Sequence, residues 1–148
     1  MIALRQILMP TDFSEPSAVA LKYAKAFAGN FQASLHMLHV VEDVYAAWEA
    51  IPFIIEDIEK SAKRQLDELL TKEEREQFRA QALIRRGSPF VEIVRYAKNE
   101  NIDLIILGTH GRGPIAHMLL GSVAERVVRK APCPVLTVRH PEHEFVMP

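Results

Sequence analysis

The sequence predicts an α/β fold: a single three-layer domain with a five-stranded parallel sheet and helices on both faces. Three observations carry this. Strand-like apolar runs and amphipathic helical patterns alternate five times along the chain, and neighbouring parallel strands need a helix to cross between them. The run Leu104-Ile105-Ile106-Leu107 is apolar without interruption, as a strand covered on both faces must be. No internal repeat or low-complexity linker divides the 148 residues, a length that supports one core.

The elements follow in order. Ile7-Leu8-Met9 reads as the first strand, ending at Pro10-Thr11-Asp12. Ser14 is a helix N-cap candidate and Pro16 suits a first helical turn. The helix they open carries Ala20, Leu21, Tyr23, Ala24, Phe27 and Ala28 as an apolar stripe, and Gly29-Asn30 is expected to end it. Ala33 to Val41 reads as the second strand. After a loop through Trp48, a long helix from about Pro52 places Ile54, Ile55, Ile58, Ala62, Leu66, Leu69 and Leu70 at the helical period. Thr71-Lys72-Glu73-Glu74 has the spacing of a capping box, so a short extra turn is expected there. Ala80 to Arg85 alternates and is flanked by arginines, which suits an edge strand. Gly87-Ser88-Pro89 opens a helix with Phe90, Ile93, Val94 and Ala97 on one face. The buried strand Leu104 to Leu107 comes next. Gly121-Ser122 then opens the last helix, and Pro134 to Val138 is the fifth strand. Residues 1–140 form the predicted domain, and 141–148 a polar tail.

Composition excludes several classes. Eighteen Lys and Arg stand against 19 Asp and Glu, which speaks against nucleic acid as the main partner, since phosphate backbones select a basic face. Cys133 is the single cysteine, so no internal disulfide forms and a reducing compartment fits. No apolar run approaches the roughly 18 residues of a membrane span. The first residues show no cleavage-site pattern, so the expected location is the cytoplasm.

The chemistry concentrates in residues 108–122, GTHGRGPIAHMLLGS, which hold four glycines. Ligands in open α/β sheets sit at the carboxyl ends of the strands, where strand order reverses. Here those ends are Pro10-Thr11-Asp12, Val40-Val41, Arg85-Arg86-Gly87 and Gly108-Thr109-His110. Glycine destabilises such a connection unless backbone must approach something closely. Gly121-Ser122 opens a helix, and a helix N-terminus offers unpaired N–H groups and a partial positive charge to phosphate. Ser122 can donate a hydroxyl and also cap its own helix, and Arg112 can add a charged contact. No lysine precedes the serine, so this is not a Walker loop, and Gly111-Arg112-Gly113 only begins like a dinucleotide fingerprint.

Gly108-x2-Gly111-x9-Gly121-Ser122 resembles the G-x2-G-x9-G-(S/T) motif of the ATP-binding branch of the universal stress protein family. Ile7 to Ser14, Val123 to Val127 and Ala131 to Leu136 are similar to that family as well, so the resemblance covers nearly the whole chain apart from its C-terminal tail. The resemblance implies a strand order of 3-2-1-4-5, ATP as the ligand, and a homodimer through strand five. It also implies residue roles. Asp12 contacts the ribose or adenine, with Pro10 and Thr11 lining the pocket. Val41 presents backbone groups to adenine. Gly108, Thr109, Gly111, Arg112, Gly121, Ser122 and Val123 surround the phosphates. Gly113-Pro114, inside the loop, departs from the family pattern. Mg²⁺ can accompany the nucleotide, with Asp12 reaching it only through water.

Plainer readings stand beside these. Asp12 also suits an Asx turn. His36 and His39, three apart on a strand, face opposite sides and read as packing or surface residues. His110 and His117 flank the glycine loop and read as surface residues, while His140 and His143 fall in the tail. Cys133 reads as a small packed hydrophobe. For function, a dimeric ATP-binding regulatory or stress-response protein is favoured. A slow ATP hydrolase or nucleotidyl-transfer enzyme on the same site is the alternative, since no general base, carboxylate pair or Walker lysine stands out. A phosphoacceptor domain fits poorly, because strand three ends in Arg85-Arg86 and strand five in Arg139.

Overall fold

The computed structural model describes residues 1–42, 51–109 and 120–139, with no side-chain description for 51–53. Among the described residues five strands and five helices follow one another: β1 Gln6–Pro10, α1 Glu15–Phe31, β2 Ser34–Val41, α2 Ile51–Glu68, α3 Lys72–Gln77, β3 Gln81–Arg86, α4 Pro89–Asn99, β4 Leu104–Gly108, α5 Ser122–Lys130 and β5 Val135–Val138. The strands form one sheet in the order β3-β2-β1-β4-β5, parallel at every pairing. β1 aligns Ile7 with Leu35 on one side and with Leu104 on the other. No helix among the described residues is long and apolar enough to cross a membrane.

Alternation along the strands divides the interior in two. Ile7, Met9, Leu35, Met37, Leu104 and Ile106 pack with α1 residues and with Leu66 and Leu70 of the α2 region. Leu8, Leu38, Ile105 and Leu107 turn to the other face, against Ile93, Tyr96 and Ala97 of α4 and Ala124 and Val127 of α5. Successive side chains of a strand point to opposite faces, so a central strand must be apolar throughout. Arg126 of α5 lies 5.4 Å above the Phe90 ring of α4 and joins the outer surfaces of that pair.

The helix ends show what local sequence decides. Ser14 caps α1 and accepts from the Ser17 N–H. Thr71 and Glu74 form the full reciprocal capping box of α3. At the far end of α1 the expected stop at Gly29-Asn30 is corrected. The helix runs on to Phe31, and Gln32 takes the left-handed cap at φ 53°. There the Ala33 N–H reaches back to the Ala28 carbonyl at 2.9 Å, and Phe31 stacks on Phe27 one turn earlier. These contacts outweigh the glycine signal.

Candidate functional site

β1 and β4 lie side by side at the centre of the sheet, and the chain leaves them toward opposite faces. From β1 it enters α1 and the first core, and from β4 it goes on to α5 and the second. This is the switch point at which open α/β sheets form a crevice.

On the β1 side the turn is built from side chains. Thr11, 8% exposed, continues the β1–β2 ladder by donating its N–H to the Leu38 carbonyl. Its Oγ1 accepts the Phe13 N–H at 3.0 Å. Asp12 Oδ1 accepts the Ser14 N–H at 3.0 Å and the Ser17 hydroxyl at 2.8 Å, and the Asp12 N–H donates to Ser17 Oγ. The Asx turn is therefore realised, and a carboxylate sits where the α1 N-terminus favours negative charge. Phe13 follows with φ 63°. Beside the turn, between α1 and α2, a cleft of about 330 Å³ is lined by Thr11, Phe13, Ser14, Ser17, Gln65 and Glu68 among others.

On the β4 side the backbone carries the geometry. A Cβ at Gly108 would come within 2.9 Å of the Pro16 carbonyl carbon, oxygen and Cβ. The close approach that demands glycine here is that of α1, a packing reason independent of any ligand. Thr109, 2% exposed, donates its N–H to the Val138 carbonyl at 2.9 Å and accepts the Gly121 N–H on its own carbonyl. The start of α5 is thus tied to the end of β4.

Gly121 is the N-cap of α5, with φ −68° and ψ 164°, and as glycine it offers the first helical turn no side-chain cap. This corrects the expectation that Ser122 caps the helix. It lies one position inside the helix and is exposed, with Val123 half-buried behind it. A residue at that first helical position is too far advanced to reach back to its own turn.

Val41 is 8% exposed. Pro10 pairs with Leu38, so Val41 stands farther along β2, past the end of β1. Its carbonyl already accepts the Gly87 N–H at 3.0 Å, and Gly87 needs to be glycine at φ 134°. Gly111 and Arg112 lie outside the described residues, as do His110, His117, Gly113-Pro114, Trp48, His140 and His143. Among the described residues no group of three His, Cys, Asp or Glu stands close enough together to hold a metal.

The two strand histidines part as their spacing requires. His36 is 2% exposed. Its Nδ1 lies 2.6 Å from the Tyr96 hydroxyl and its Nε2 2.6 Å from Gln6 Oε1. Burial pushes its pKa below the ordinary value, with Glu100 pulling it back up. Burial likewise raises the Tyr96 phenol to about 12, and the nearby Glu100 charge adds to this. His39 points the other way, to the β1–α1 turn, where its Nδ1 meets the Thr11 carbonyl at 2.8 Å. Cys133 packs against the second core, and burial raises its pKa, as a packed thiol rather than a nucleophile requires. Two elements of the turn escape sequence reasoning. Ser17 carried a signal, since Asp12-x-Ser14-x-x-Ser17 spaces three polar groups around one helix start. The left-handed Phe13 carried none.

The sequence profile of the universal stress protein family matches residues 3–139. Universal stress protein MJ0577 of Methanocaldococcus jannaschii is 31% identical, over 93% of this chain and 96% of its own. The solved structure of MJ0577 superposes with a TM-score of 0.84 at 33% identity, covering 98% of this chain and 100% of the other. Two more distant structures share the fold and hold nucleotides. One is a universal stress protein in complex with cAMP, at 24% identity, TM-score 0.66 and coverage of 93% and 98%. The other is from Archaeoglobus fulgidus in complex with dAMP, at 18% identity, TM-score 0.60 and coverage of 92% and 98%. With its strand order, its two packed faces and a match along nearly its whole length, this chain belongs to the universal stress protein family.

Proposed function

We propose that this protein belongs to the ATP-binding branch of the family and acts as a dimeric regulatory protein, holding ATP in the crevice between the ends of β1 and β4. The observation that carries the reading is the start of α5. That helix begins at a glycine, without a side-chain cap, and is tied to the end of β4 at the switch point. Uncapped N–H groups at a helix N-terminus suit a phosphate, and glycine leaves room for it. The Gly108-x2-Gly111-x9-Gly121-Ser122 spacing supports the same ligand. The cAMP and dAMP complexes support it at the level of the fold: nucleotides are held by proteins of this architecture.

In this reading Gly108, Thr109, Gly111, Arg112, Gly121, Ser122 and Val123 surround the phosphates. Pro10, Thr11 and Asp12 form the wall toward ribose and base, with Val41 above them. Asp12 is already engaged with Ser14 and Ser17, so it acts chiefly through the shape of its turn. Mg²⁺ bound with ATP would meet Asp12 through water. What the bound nucleotide supplies is a charge that the helix N-terminus neutralises.

Gly121→Val tests the site. The backbone at Gly121 is extended, so valine introduces no backbone strain, and its branched side chain is set before the helix N–H groups. Calorimetry should show ATP binding to the native protein and none to the variant, with unfolding temperatures within a few degrees of each other. Native ATP affinity in the variant would overturn the site, and absence of binding to the native protein would overturn the reading.

The dimer is proposed through β5. In the described residues that strand pairs only with β4, and Val135, Leu136 and Thr137 are half-exposed. An open strand edge invites pairing, and a two-fold axis closes it. Light scattering at micromolar concentration should give twice the chain mass, and a stable monomer would refute the arrangement.

A further inference from the structure

Phe13 is a bulky residue held at φ 63°. A side chain of that size keeps the left-handed region only when its surroundings over-determine it. Two of its restraints are local, the Phe13 N–H on Thr11 Oγ1 and the Ser14 N–H on Asp12 Oδ1. The third comes from another strand. His39, on β2, donates from Nδ1 to the Thr11 carbonyl at 2.8 Å, and its ring faces the Phe13 ring at 4.6 Å and 31°.

The chemistry of that contact is fixed. A carbonyl only accepts, so Nδ1 carries the proton, in neutral and charged imidazole alike. The position of His39 follows from strand parity. Met37 of β2 enters the α1–α2 core and Leu38 the opposite one, so His39 returns to the α1 face, beside the turn. A serine or leucine at that point would lack either the ring or the reach.

We propose that His39 is the positioning residue of the β1–α1 turn: it clamps Thr11 and Phe13 in the shape that sets Asp12 beside the switch-point crevice, and so sets nucleotide affinity without touching the ligand. This rests on the reading of that turn as the nucleotide wall. Hydrogen bond and ring can be separated. His39→Phe keeps a ring against Phe13 and removes the donor. His39→Asn places an amide N–H where Nδ1 stood and removes the ring.

The experiment measures two quantities on the full chain and both variants, amide hydrogen exchange and ATP affinity by calorimetry. His39→Phe should speed exchange at the Phe13 and Ser14 amides by about tenfold or more, leaving Leu35 to Leu38 protected as in the native protein. It should weaken ATP binding about tenfold, the effect of one neutral hydrogen bond. His39→Asn should restore both to within about threefold of native, since the donor is kept. Unchanged exchange at Phe13 and Ser14, uniform acceleration across the sheet, or native ATP affinity alongside a loosened turn would each overturn the proposal. If the native protein binds no ATP, only the nucleotide reading falls, and the exchange pattern still decides whether His39 holds the turn.

Discussion

The two central strands end in different ways. The turn after β1 is wired by side chains: Thr11 Oγ1 accepts the Phe13 N–H, Asp12, Ser14 and Ser17 exchange hydrogen bonds among themselves, and His39 reaches in from β2. Among the described residues, the connection after β4 is pinned by backbone hydrogen bonds, from Thr109 to Val138 and from Gly121 to Thr109. One helix start has its N–H groups answered internally; the other has no side-chain cap. The difference teaches where a fold of this kind can hold an anion. An N-terminus already capped by serine and aspartate has little to offer, whereas one opened by glycine keeps its donors for something else.

The largest break in this contrast should come from Gly108→Ala. The new Cβ meets backbone of Pro16 at 2.9 Å, and backbone cannot rotate aside as a flexible side chain could. α1 must shift, and both turns with it. Urea unfolding should show a loss of about 3 kcal/mol, at the upper end for an overpacked site. A loss under about 0.5 kcal/mol, the ordinary range for surface changes, would mean that α1 is not seated against β4 as described. Lowered ATP affinity in this variant would follow from the moved helix and would not by itself identify Gly108 as a phosphate contact.

A pH effect from outside both turns comes next in size and has to be subtracted before turn variants are compared in acid. His36 is buried with its pKa lowered, chiefly by desolvation. The unfolded chain therefore takes up a proton near the ordinary histidine value while the folded chain still refuses it. Its contribution to stability is complete above about pH 6.5 and is lost as pH falls, by at most about 1.4 kcal/mol per pH unit, until the folded pKa is passed. Unfolding free energies measured from about pH 7.5 down to about pH 5 should fall more steeply in the native protein than in His36→Gln. Equal slopes would assign the effect to another group.

The smallest effect sharpens the comparison most. Ser14→Ala removes a working cap and should cost about 1 kcal/mol. Ser122→Ala removes a hydroxyl that caps nothing, and should change stability by less than about 0.5 kcal/mol. Equal losses in urea titrations of the two variants would erase the distinction between the helix starts.

Much of this was legible in the sequence because the signals are local. Ser14, Pro16 and Thr71-x-x-Glu74 announce helix starts through bonds spanning three or four residues, and the uninterrupted apolar run before Gly108 marks a central strand. The strand order came through the family resemblance rather than through any residue. What was not legible depends on contacts between distant parts of the chain. Gly108 looked like room for a ligand, but its need for glycine comes from Pro16, which only the folded chain brings near. Ser122 looked like a cap because it is the residue type that caps, yet the helix begins one residue earlier. His39 read as a packing residue because nothing in the sequence links it to Thr11, 28 positions away.

The bond between the Thr109 carbonyl and the Gly121 N–H has a consequence for how this family can diversify. It closes the chain between those residues by main-chain atoms, which every substitution except proline at 121 preserves. A closed loop tolerates added length cheaply, about 0.6 kcal/mol for each doubling. Insertions, deletions and wholesale changes of composition between these two anchors can thus be sampled by evolution, or grafted by an engineer, while β4 and α5 keep their relative placement. The β1–α1 turn has no such licence, since its closure is written in the identities of Thr11, Asp12, Ser14, Ser17 and His39. Variation in ligand choice among proteins with this architecture should therefore accumulate after β4 far faster than after β1.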